Sequence, residues 1–197
     1  MPRQLIVVAG DRDRSYLPTY LAETFPALDA RVVADLPSLR AAFAGREDES
    51  RILTFLTDII IPADILEATP LQAVNIHPGP PNYRGSCPDG FAWLDGAREF
   101  GVTAHELTAD IDAGRILSVR RFPTPLGATR EDIANRAFEE CLVLFALIVR
   151  HCARTNAPLP PAAERWSGPA RTRAQFRKAL QAQRVMAAAA PTQSTAS

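Results

Sequence analysis

The sequence predicts an α/β fold: a mainly parallel β-sheet flanked by helices, with a β-extension at residues 100–122. Two observations carry this reading. Up to about residue 97, short β-branched apolar runs alternate with segments of helical period at short intervals, the pattern of βαβ units whose sheet is covered on both faces. Beyond that point the period falls to two over residues 101–107 and 116–122, the pattern of strands with one buried face. A chain of 197 residues, 47% hydrophobic and 22% charged, is long enough for one domain with a real core and has globular composition.

Each element has its own justification. Leu5-Ile6-Val7-Val8-Ala9 is an apolar, β-branched run ending at Gly10, and reads as a buried parallel strand. Tyr16, Leu17, Tyr20, Leu21 and Phe25 recur at helical spacing, with Ser15 as the expected N-cap. Arg31–Ala34 is a second strand, residues 38–43 a short helix, Arg46–Ser50 a charged surface segment and Ile52–Leu56 a third strand. Pro62 suits the first turn of a helix over 62–67, and Leu71–Ile76 is a fourth strand. The two period-two strands are joined by a loop, Thr108–Arg115, rich in Asp, Ala and Gly. Thr129, with Asp132 three residues on, announces a capped helix whose apolar positions continue to about Cys152. Pro158, Pro160 and Pro161 then break helix, and Arg171–Arg184 is a basic helical stretch. The whole reads as a Rossmann-like domain.

Composition excludes several classes. Lys+Arg and Asp+Glu both count 22, so the chain lacks an overall charge that would draw nucleic acid or an anionic membrane. No apolar run reaches the ~18–20 residues that span a bilayer, and the N-terminus has no signal-peptide core, so a cytoplasmic protein is expected. Three cysteines at wide, irregular spacing form neither a disulfide framework nor a metal site. Cys141 reads as a small buried hydrophobe, Cys87 as the start of a helix and Trp93 as core.

Polar chemistry concentrates between residues 75 and 114. Asn75 and His77 end an apolar strand and share one of its faces, because side chains alternate. The stiff loop Pro78-Gly79-Pro80-Pro81-Asn82-Tyr83-Arg84-Gly85 follows, at the strand end where open α/β sheets bind ligands. A carboxylate from Asp110-Ile111-Asp112-Ala113-Gly114, brought to His77, would orient the imidazole and stabilise its cation; Asn75 could then hold a developing oxyanion.

Four ordered blocks carry a resemblance: Asn75-Ile76-His77-Pro78, Tyr83-Arg84-Gly85, Gly101-Val102-Thr103-Ala104-His105 and Asp112-Ala113-Gly114-Arg115-Ile116. They resemble the formyltransferase family that uses 10-formyltetrahydrofolate, over roughly residues 51–122. The resemblance implies that Asn75, His77 and Asp112 are the catalytic set. It implies that Asp58, Ile59 and Ile60, with Ala109, Asp110 and Ile111 opposite, line the folate cleft. His105, where the family often has His, is expected to flank the site in support, and Arg84 to shape the loop or meet the glutamyl tail of folate. The implied activity is formyl transfer from 10-formyltetrahydrofolate to a primary amine of a small molecule or amino sugar. A hydrolase releasing formate is one alternative; a non-catalytic folate- or partner-binding module is another.

The chain departs from the family pattern in places. The turn Gly10-Asp11-Arg12-Asp13-Arg14 lacks the small residues with which purine-pathway members hold a phosphate, which argues against glycinamide ribonucleotide. The roughly 40 residues after Asn156 are too few for the further domain of the tRNA-acting members, so no nucleic-acid partner is expected. The segment before Asn75 is short by about one strand-plus-helix unit. The expected organisation is a catalytic domain over 1–156, a C-terminal extension over 157–186 placed on or near it, and a disordered, low-complexity tail over 187–197. The apolar helix around residues 133–149 offers a possible homodimer face.

Overall fold

The computed structural model describes residues 4–189. Six strands, β1 (Gln4–Ala9), β2 (Asp29–Val33), β3 (Ser50–Phe55), β4 (Val74–His77), β5 (Glu99–Glu106) and β6 (Ile116–Pro123), form one sheet in the order β2-β1-β3-β4-β5-β6. The first four in this order are mutually parallel; β5 is antiparallel to both β4 and β6. The fold is therefore α/β and Rossmann-like, with the antiparallel extension where the period of the sequence changes.

Alternation along the parallel strands divides the core in two. Leu5, Val7, Leu53, Phe55, Val74 and Ile76 face a cluster with α1 (Leu17–Thr24), α4 (Pro88–Leu94) and α5 (Arg130–Arg154). Ile6, Val8 and Ile52 face a second cluster, with Leu39 and Phe43 of α2 (Leu36–Phe43) and Ile65 of α3 (Ala63–Glu67). β1 is buried along its whole length, as its unbroken apolar run requires. In α5, Ile133, Ala137, Cys141, Leu144, Phe145, Ile148 and Val149 are spent on this chain's own core; Val143 and Leu147 stand exposed.

Helix ends differ from the sequence reading where capping partners compete. Thr129 and Asp132 make the expected reciprocal capping box. Ser15 is not a cap: it lies in a 3-10 turn, its hydroxyl donating to Arg12 O at 2.9 Å, and α1 starts behind Tyr16. α2 begins two residues early because Asp35 accepts from the Ser38 N–H at 2.7 Å. Pro62 precedes α3 rather than opening it. β4 starts at Val74, not Leu71, since Gln72 is engaged by its side chain with Glu106 and Leu159.

The chain after α5 returns across the molecule. Buried Arg51 donates to the carbonyls of Asn156 and Ala157 at 2.8 and 3.0 Å, fixing the exit from the helix. Ala162 N–H bonds Ile116 O, Ser167 N–H bonds Pro81 O, and Arg171 exchanges backbone bonds with Arg84 and Ser86. A final helix, α6 (Arg173–Ala189), sets Phe176 edge-on to Phe91. It enters the stretch expected to be disordered as far as Ala189; residues 190–197 lie outside those described. Among the described residues, no helix is long and apolar enough to cross a membrane.

Candidate active site

A cavity of about 1030 Å³ opens at the carboxyl ends of β3 and β4, lined also by the β5–β6 loop and α6. All nine residues singled out from the sequence line it: Asn75, His77 and Asp112, with Asp58, Ile59, Ile60, Ala109, Asp110 and Ile111. Among the described residues, the three non-glycine residues with positive φ, Leu56, Cys87 and Asp112, all lie in the cavity wall. Backbone strain of this kind persists only where surrounding contacts impose it.

Sheet register builds the polar centre. Thr54, Asn75 and His105 are direct neighbours across β3, β4 and β5. The Thr54 hydroxyl donates to Asn75 Oδ1 at 2.6 Å, and Asn75 Nδ2 donates to His105 Nε2 at 2.9 Å. That leaves Asn75 a second amide hydrogen for a ligand. His105 Nδ1–H donates to the Glu106 carbonyl at 2.8 Å.

His77 and Asp112 are both buried. His77 Nε2 lies 2.8 Å from Tyr83 O, and since a carbonyl only accepts, Nε2 carries a hydrogen. Its Nδ1 faces Asp112 Oδ2 at 3.3 Å, and His105 Nε2 faces Asp112 Oδ1 at 3.3 Å. The Gly85 N–H donates to Asp112 Oδ2 at 2.7 Å, while Arg84 Nε donates to Asp112 O at 2.8 Å. Arg84 thus shapes the Asp112 loop from within the molecule.

Charge follows from these contacts. Burial, against the pull of Asp112 and the Tyr83 carbonyl, holds the His77 imidazole below its ordinary value. Burial pushes the Asp112 carboxyl up, but His105, His77 and the Gly85 amide outweigh it and hold it below the usual carboxylate range. At neutral pH the pair rests as neutral imidazole and carboxylate. The gap between Nδ1 and Oδ2 then lacks a proton and is poised to accept one. Burial also pushes the Cys87 thiol up, which speaks against a nucleophile there.

The cleft walls are apolar and open. Ile60 and Ile111 both line the cavity and are exposed, 63% and 57% respectively, and Ile59 is half-buried. Asp58 is turned instead to Arg173 at 2.6 and 2.7 Å, so its side chain ties the 57–62 loop to α6. Arg173, Phe176 and Arg177 of α6 complete the wall. Sequence reasoning missed them because nothing local says where a basic helix docks.

Residues 51–145 match the formyl transferase family model. Over that stretch the chain is similar to the formyl transferase family. Over 110 residues it is 32% identical to a methionyl-tRNA formyltransferase from Enterococcus faecalis, covering 51% of this chain and 34% of that protein. The chain spans about a third of the length of the curated relatives it matches. Two solved structures share the fold over most of its length. A sugar N-formyltransferase from a Shewanella species gives a TM-score of 0.69 at 18% identity, covering 89% of this chain and 79% of that one. A formyltransferase from Anoxybacillus kamchatkensis, solved with UDP-4,6-dideoxy-4-formamido-L-AltNAc and tetrahydrofolate, gives 0.69 at 21% identity, covering 90% of each chain.

Proposed function

We propose that this protein transfers a formyl group from 10-formyltetrahydrofolate to the primary amine of an amino sugar. The observation that carries the reading is the buried His77–Asp112 pair, with an Asn75 amide hydrogen to spare, at the wall of an open cleft. A non-catalytic folate-binding module has no use for a buried pair poised to take up a proton. The folded relatives solved as sugar N-formyltransferase, and with tetrahydrofolate and a formamido sugar, support donor and acceptor class.

The cavity fits the donor. Its volume suits a small-molecule site, and Ile59, Ile60 and Ile111 give apolar walls for a flat heterocycle, with backbone groups of 57–62 and 109–112 between them. When bound, the folate supplies an activated formyl group. Asn75 donates its free amide hydrogen to the formyl oxygen as that oxygen gains negative charge, while Thr54 and His105 hold the amide in place. His77 takes the proton of the attacking amine at Nδ1, facing Asp112 Oδ2, and returns it toward the departing folate nitrogen. Asp112 balances the imidazolium, and Gly85 and Arg84 keep Asp112 aimed.

The test is turnover of 10-formyltetrahydrofolate by the purified protein with and without a panel of amino sugars, scoring formate and formylated product separately. Amine-dependent formylated product is expected; formate released at the same rate without amine would make the protein a hydrolase. His77→Ala is expected to lose transfer while circular dichroism stays native. Retained turnover in that variant would remove His77 from the mechanism.

A further inference from the structure

Trp166 belongs to no motif in the sequence and does not line the cavity, yet it meets both histidines of the site, Arg84 and the turn that carries Asp112. Its indole N–H donates to Gly114 O at 2.7 Å, at the end of the turn that presents Asp112. Its ring meets His77 with centroids 5.9 Å apart and planes at 70°, and His105 at 5.0 Å and 84°. The Arg84 guanidinium, which holds the carbonyls of Asp112 and Ile111, lies 5.8 Å from the same ring.

Topology explains why this side chain comes from so far along the chain. Val74 and Ile76 point into the cluster built with α5, so Asn75 and His77 point to the other face of β4. The helices of that other face, α2 and α3, serve β1 and β3. The face of β4 and β5 that carries the polar residues is met by the irregular segment 155–172. Leu159 bonds Gln72 beside β4, Ala162 bonds Ile116 at the start of β6, and Trp166 follows four residues later against the two imidazoles. The close approach of this segment is enforced further on: Gly85 has φ +85°, and a Cβ there would collide with the Arg171 backbone.

We propose that Trp166 is a positioning residue of the active site, pinning the Asp112 turn against His77 and His105 and keeping water from both imidazoles. This rests on reading His77 as the group that carries the proton. The charged and titratable groups facing His77 are Asp112 from the β5–β6 loop, His105 from β5 and Arg84 from the loop after β4. Burial is the largest influence lowering the His77 imidazole, so opening its surroundings to water moves it back up.

The experiment is a ¹H–¹⁵N titration of the imidazoles in the full-length chain, paired with steady-state kinetics. The chain has three histidines, and His151, bonded to Ala157 O near the end of α5, lies outside the site. In Trp166→Ala the His77 midpoint is expected to rise by roughly half a pH unit or more. For formyl transfer, kcat should fall on the order of 10- to 100-fold with the KM for the folate donor little changed. Trp166→Phe keeps a ring but loses the bond to Gly114, and should give a smaller loss of kcat. A lower Tm in Trp166→Ala with the His77 titration unmoved, or moved down, would reduce Trp166 to packing and overturn the proposal. Should Trp166→Ala not fold, Trp166→Phe decides: unchanged kcat and unchanged titrations overturn it. Absence of formyl transfer by the unmodified protein would sink the functional reading, while the imidazole titrations would still judge the positioning.

Discussion

Asp112 holds a left-handed backbone at φ 46°, a conformation that costs a side chain about 1–2 kcal/mol, and it holds it because Gly85, Arg84 and the histidines all engage it. The strain aims a buried carboxylate at His77 Nδ1. Asn75 is fixed from both sides, by Thr54 and His105, so its free hydrogen has one direction to point. Asn75→Ala is therefore expected to lower kcat for formyl transfer by about 10²- to 10³-fold while leaving donor affinity nearly unchanged, measured by steady-state kinetics beside equilibrium folate binding. Because the imidazole must be neutral to accept a proton, activity should fall on the acid side of the ordinary His value of about 6.5. The apparent pKa of that limb in kcat/KM should lie below the ordinary value, since burial lowers His77; a limb above 6.5 would contradict the assigned charge state. At this scale the sequence was informative about which residues meet: Asn75, His77 and Asp112 do line one cavity. It was silent on Thr54, whose bond to Asn75 exists only because β3 and β4 pair in that register.

Strands and helices show where local signals suffice. β1 is written in its unbroken apolar run, and α5 in Thr129, Asp132 and its helical period. α1 starts behind Tyr16 rather than Ser15, because the Ser15 hydroxyl is taken by Arg12 O and caps no helix N–H. The loop after β4 is the element on which the site depends most. Gly79 permits it to fold under His77: a Cβ there would stand 2.6 Å from Nε2. Gly85 permits it to meet the returning C-terminal segment. Gly85→Ala forces a side chain into φ +85° and against the Arg171 backbone. It should destabilise the protein by about 1–2 kcal/mol or more in urea unfolding and lower kcat, because the Gly85 N–H that aims Asp112 is displaced. Unaltered stability would mean that the loop and the 155–172 segment are not tied as their backbone bonds indicate.

For the whole molecule His77 and Asp112, both buried, make a joint prediction. The folded state holds His77 below its ordinary value, so between that folded value and about pH 6.5 the unfolded chain binds more protons, and stability declines as pH falls through this window. Asp112 is held low as well; its contribution is present above the ordinary carboxylate value and is lost as pH falls further, through its folded value. Urea midpoints measured from pH 8 to 4 should fall steadily below about 6.5, and the first part of that fall should be missing in His77→Gln. The sequence by itself determined the mainly parallel sheet and its β-extension, the capped α5 and the family blocks, because periodicity, capping and glycine placement act over a few residues. Only the tertiary structure decided what covers the polar face of β4 and β5, which cross-strand neighbours fix Asn75, and why a basic helix more than 60 residues beyond Asp112 walls the cavity. Those contacts join residues such as Arg173 and Asp58, or Trp166 and His77, that no local pattern relates. Their pairing is set by sheet order and by where the chain returns to bury what the helices leave open.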